Sequence, residues 1–132
     1  MKFLKFLFIL VCLNSLAYAD KNMKIGSKGN ENDISRVIKV VMYDNYYEPS
    51  SFQINAGETI KFEVENAGEL VHEFNIANKM MHMKHQPEME KMVENEILYA
   101  DSIDKDKMKK MAKIDKSMGH SHSNSVLLEP KQ

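Results

Sequence analysis

Residues 52–74 read Phe52-Gln53-Ile54-Asn55-Ala56-Gly57-Glu58-Thr59-Ile60-Lys61-Phe62-Glu63-Val64-Glu65-Asn66-Ala67-Gly68-Glu69-Leu70-Val71-His72-Glu73-Phe74, and this stretch decides the fold. Within it Ile60, Phe62 and Val64 alternate with Lys61, Glu63 and Glu65. That two-residue period belongs to a strand with one buried face. The clusters 55–58 and 66–69 each contain a glycine able to take positive φ, which marks them as turns. Residues 70–76 then form a further strand, carrying His72. Upstream, the β-branched segment 36–43 predicts another strand, and Pro49 with Ser50 and Ser51 separates it from a short one over 52–54. Strands spaced by such turns favour a sandwich or barrel over a helical domain.

Toward the N-terminus, Lys2 and Lys5 precede an apolar run from Phe6 to Leu13, and Ala17-Tyr18-Ala19 offers small residues for cleavage. The pattern predicts a secretory signal peptide over 1–19, because the apolar run is shorter than the roughly 20 residues a membrane-spanning helix needs. Cys12, the single cysteine, leaves with that segment, so an exported mature chain folds without disulfides and without thiolate chemistry. Sixteen basic residues then face 19 acidic ones, interspersed along the chain, a balance that does not point to nucleic acid. Residues 20–35, poor in apolar side chains, read as a disordered leader.

After Asn78 the texture changes to Met, Lys, Glu and His. Met80, Met81, His82, Met83 and His85 crowd together, and Met118, His120 and His122 cluster again. Thioethers suit Cu(I), imidazoles accept either copper state, and neither requires a thiol. His82, Met83, His85, His120 and His122 are accordingly candidate metal ligands. Pro87 followed by Glu88 suits a helix start, and a second helix is expected over 104–113. Met89, Met92, Met108 and Met111 sit at helical spacing and read as adaptable packing residues. Glu88, Glu90, Glu94 and Glu96 read as a solvated face. Val126-Leu127-Leu128 begins another strand. The chain has no Gly-rich phosphate loop, no Gly-x-Ser-x-Gly elbow and no His-Glu-x-x-His helix.

Tyr47-Glu48-Pro49, then 52–62, Asn66 and the step Val71-His72-Glu73-Phe74 resemble the cupredoxins, the small copper-binding Greek-key sandwiches. The Met- and His-rich insertion is more similar to the periplasmic copper-resistance branch than to plant plastocyanins. The resemblance implies that His72 is the first copper ligand, presented from a strand end. It also implies a later loop with a cysteine, a histidine and a methionine completing the site, and the sequence reaches Gln132 without one. A fragment cut before that loop is the expectation, with a truncated product as the other reading.

The resulting expectation is an all-β, cupredoxin-like Greek-key β-sandwich, incomplete, over 36–132, with a helical Met/His-rich insertion over 79–122. Its function is periplasmic copper binding, non-enzymatic, with electron transfer or copper tolerance as the family role and a redox protein as the partner of the former. Two alternatives stand beside it: a copper-sequestering or chaperone module using the insertion, and a fragment of a larger copper oxidoreductase. The candidate metal residues are His72, His82, Met83, His85, His120 and His122.

Overall fold

A computed structural model describes residues 25–132. The expected signal peptide lies outside these residues, and the expected leader is described only from residue 25, with one 3-10 turn at Glu31–Asp33.

The alternation read in the sequence is what builds the first sheet. Strand β1, Arg36–Met42, turns Val40 and Met42 fully inward, while Arg36, Val37 and Lys39 stay outside. A short strand β2, Tyr47–Glu48, pairs antiparallel with its end, and β3, Ile60–Asn66, runs parallel to it in register from Arg36 opposite Ile60 to Met42 opposite Asn66. Along β3 the residues Ile60, Phe62 and Val64 lie inward of Lys61, Glu63 and Glu65, as their period requires. The second sheet consists of β4, His72–Asn75, antiparallel to β5, Ser125–Leu128. The aromatic series Phe52, Phe62 and Phe74, with ring centroids 5.4 and 5.3 Å apart, joins the two sheets. Two sheets meeting over an apolar seam, with the helices inserted between β4 and β5, give the β-sandwich with helical insertion.

Three local expectations are corrected. Residues 52–54 form no strand; Phe52 instead folds its ring onto Phe62. The first helix, α1, covers Lys79–Glu94 and starts eight residues before Pro87, because the Asn78 side-chain Oδ1 caps it by accepting from Met81 N at 2.9 Å. Pro87 therefore sits inside the helix, where it has no N–H to donate. Gly57 takes positive φ (88°), but Gly68 does not; Gly68 is required because a Cβ there would run into the Asp44 carboxylate.

The helix α2, Lys105–Met111, is capped by Asp104, whose carboxylate accepts from Lys107 N at 2.8 Å. Met92, Ile97 and Met118 form a buried cluster inside the insertion, with Met89, Met108, Met111, Leu98 and Leu127 packed against it. These methionines fill the space among α1, α2 and the 3-10 turn Lys116–Gly119, the use to which an unbranched, polarizable side chain is suited. Asn66 is buried and spends its polar atoms on cross-links: Nδ2 donates to Leu70 O (2.8 Å) and Leu128 O (3.0 Å), and Oδ1 accepts from Gly68 N. It ties β3 to the following turn and to β5.

Candidate metal centre

Successive residues of a strand point to opposite faces, and at β4 this divides His72 from Glu73. His72 turns toward the 43–47 loop. Its Nε2 lies 2.9 Å from Asp44 Oδ1, and its ring meets Tyr47 edge-on at 6.3 Å. Asp44 also accepts from Glu69 N and Leu70 N, so the pair organises the turn before β4. The hydrogen bond from His72 and those two backbone amides hold the Asp44 carboxyl below its ordinary value.

Glu73 turns the other way, into the insertion. There His85 comes from α1, His120 from the end of the 3-10 turn Lys116–Gly119, and His122 from the segment leading into β5. The segment is brought there by the β4–β5 pairing and by Asn124, whose Nδ2 donates to Asn75 Oδ1 and Ile76 O. The three imidazoles are mutual neighbours, with ring centroids 5.0 to 5.3 Å apart. His85 Nε2 and His120 Nε2 lie 2.9 and 3.0 Å from Glu73 Oε1. His85 Nδ1 and His122 Nε2 lie 3.1 and 3.0 Å from Glu88 Oε2. Glu88 reaches His85 because residues three apart on a helix are surface neighbours.

Burial grades the cluster. The His120 side chain is 4% exposed, His85 11% and Glu73 16%, whereas His122 and Glu88 are about one-third exposed, so the centre opens to solvent on its His122 side. Burial by itself would raise the Glu73 carboxyl. The hydrogen bond with His120 and the charges of His85 and His120 outweigh it, and Glu73 stays below its ordinary value. A largely buried carboxylate held below its ordinary value among imidazoles is a donor set suited to a borderline divalent cation. His120 occupies the left-handed region (φ 44°), a conformation uncommon for a residue with a Cβ. The chain holds that strained residue at the most enclosed point of the cluster, a pattern associated with functional sites.

Of the six candidate residues, the structure thus brings His85, His120 and His122 together. His72 stands apart with Asp44. His82 and Met83 are exposed on α1, beside a shallow recess lined by Asn75, Ala77, Asn78, Lys79 and Gln86. Two participants escape the sequence reading, Glu73 and Glu88. Glu88 does not belong to the solvated face formed by Glu90, Glu94 and Glu96, which are exposed; its spacing from His85 was the available signal. Glu73 had no local signal, since its partners are 12 and 47 residues away. Two groups, Glu73 with His85 and His120, and His85 with Glu88 and His122, each place their donor atoms within 4.8 Å of one another.

Fold and cluster together define a β-sandwich whose helical insertion brings three imidazoles against carboxylates from β4 and α1. The family profile of the cupredoxin-like domain matches residues 5–99, and the chain belongs to that family. It is similar to a protein of Pseudomonas aeruginosa named copper-resistant cuproprotein CopI, 39% identical over 102 residues that cover 73% of this chain and 56% of the relative. A protein of the same name from Rubrivivax gelatinosus is 30% identical over 74 residues, 55% of this chain and 45% of the relative. The chain spans about half the length of these curated relatives. No solved structure matches it significantly. Among the described residues no helix is long and apolar enough to cross a membrane.

Proposed function

We propose that this chain is an exported, non-enzymatic copper-binding protein of the periplasm, and that it serves copper tolerance by holding Cu(II) at His85, His120 and His122 with Glu73 and Glu88. The observation that carries the proposal is the convergence of three imidazoles and two carboxylates from β4, α1 and the segment before β5. Family membership and the copper-resistance names of the two relatives supply the metal. The donor chemistry agrees. Imidazole and carboxylate favour the oxidised ion, and Cu(II) heads the divalent series for such ligands.

The methionines do not compete for this role. Met92 and Met118 are buried in the core and Met89 packs on it, while Met83 is 59% exposed on α1. Blue copper electron transfer uses a thiolate beside two imidazoles, and residues 25–132 contain no cysteine. For these residues we therefore propose binding and sequestration, with electron transfer left to a thiolate they do not provide.

Thermal unfolding tests the reading. A ligand that binds only the folded state raises stability by about 2.7 kcal/mol at a hundred times its Kd. Excess Cu(II) is expected to raise the unfolding temperature of the purified protein markedly and to leave that of a His85→Ala, His120→Ala double variant unchanged. An equal rise in both proteins would remove the cluster from the function.

A further inference from the structure

His85 alone among the three histidines engages both of its ring nitrogens: Nε2 meets Glu73 Oε1 at 2.9 Å, and Nδ1 meets Glu88 Oε2 at 3.1 Å. Each of those carboxylate oxygens is met by one further imidazole, His120 Nε2 on the Glu73 side and His122 Nε2 on the Glu88 side, both at 3.0 Å. The centre is therefore two triads sharing one ring. Each consists of one nitrogen of His85, the Nε2 of a second histidine and one carboxylate oxygen, with the three atoms within 4.8 Å of one another. We infer that it takes two divalent cations, one per triad, with His85 as the shared ligand.

The geometry favours two ions over one. The two nitrogens of an imidazole point away from each other across the ring, so a single ion cannot be held by both. An ion seated between Glu73, His85 and His120 leaves Glu88 and His122 facing the opposite nitrogen. The carboxylates are divided one to each side, which gives each ion one negative ligand.

Proton balance follows from the chemistry of the ring. A neutral imidazole has one nitrogen lone pair free and a proton on the other nitrogen. The first ion takes the free lone pair. Binding of the second displaces the remaining ring proton to solvent water and leaves His85 as a bridging imidazolate, with no change of oxidation state in protein or metal. The two sides differ in access. His120 is almost enclosed and His122 one-third exposed, so the Glu88 side is the one that exchanges with solution.

This inference rests on the metal-binding reading above, and its test separates the two. The purified protein, saturated with Cu(II) and passed through a desalting column, is assayed for copper per chain by mass spectrometry, alongside His85→Ala, His120→Ala and His122→Ala. Relative to the unsubstituted protein, His85→Ala is expected to lose two ions and each of the other variants one. On the unsubstituted protein alone, the paramagnetic resonance signal is expected to grow with the first equivalent and to fall with the second, as imidazolate bridging couples two Cu(II) spins. A loss of one ion in all three variants, with a signal that never falls, overturns the two-ion centre and leaves the metal-binding reading standing. No ion lost in any variant overturns both.

Discussion

At the scale of single residues, one of the chain's left-handed non-glycine residues stands where its chemistry is densest. His120 holds φ at 44° and is nevertheless 4% exposed, fixed by its contact with Glu73. A residue with a Cβ in the left-handed region costs roughly 1–2 kcal/mol relative to one without. In metal-free protein, His120→Gly is therefore expected to be more stable to urea than His120→Ala by on the order of 1 kcal/mol, while both lose Cu(II) affinity. If the two variants unfold at the same urea concentration, the strain is not real. Asn66 is the counterpart in stability. Its amide serves Leu70 O, Leu128 O and Gly68 N in a buried position, so Asn66→Ala leaves three backbone groups without their partner. The expected loss is about 3 kcal/mol in denaturant unfolding. His72 shows what a motif does and does not convey. Its place on a strand was legible from the alternation around it. Its commitment to Asp44, 28 residues away, was not.

Among the elements, the helix α1 gathers most of the centre's local logic. Asn78 begins it, His85 and Glu88 share a face, and Met92 buries that side one turn further on. Asn78→Ala is expected to reduce stability by about 1 kcal/mol through loss of the cap, and to weaken copper binding because His85 rides on the first half of the helix. Circular dichroism in urea, read beside a copper titration, checks both. The turn between β2 and β3 provides a pH dependence. Glu58 accepts from Asn55 N and Nδ2 and from Arg36, and chiefly the Asn55 bonds hold its carboxyl below the ordinary 4.5. Its folded value is the lower one, so the unfolded chain binds the proton first. The stabilisation is complete above about pH 4.5 and is lost as pH falls through the folded value. Glu58→Gln is expected to lower stability above about pH 4.5, to converge with the unsubstituted protein in acid, and so to flatten the acid side of the profile in urea unfolding. Strand periods, the second helix and the packing role of Met89, Met92, Met108 and Met111 could be read from spacing, because burial of one face writes a period into the chain. The start of α1 could not, since Pro87 and Asn78 both offer acceptable helix beginnings and only tertiary packing chooses between them.

At the scale of the whole molecule, the strands supply a frame and Glu73, and the insertion supplies the three imidazoles and Glu88 of the proposed centre. The β-sandwich was legible from residues 52–74, and the crowding of Met and His after Asn78 pointed to the segment that contributes the three imidazoles of the proposed centre. Which of those residues meet was not legible, because the centre is assembled by the β4–β5 pairing, which joins Glu73 and His120 across 47 residues. That pairing also sorts the soft from the borderline donors, taking Met118 into the core and leaving His120 and His122 at the centre. The claim that copper is held by this cluster is tested most directly by titrating Cu(II) into the protein in competition with a chromophoric chelator, comparing two triple variants. Replacement of His85, His120 and His122 by Ala is expected to lower affinity by at least about 100-fold, the scale of about 2.7 kcal/mol, while replacement of His72, His82 and Met83 by Ala leaves it unchanged. Undiminished affinity in the first variant, or its loss in the second, would contradict the account.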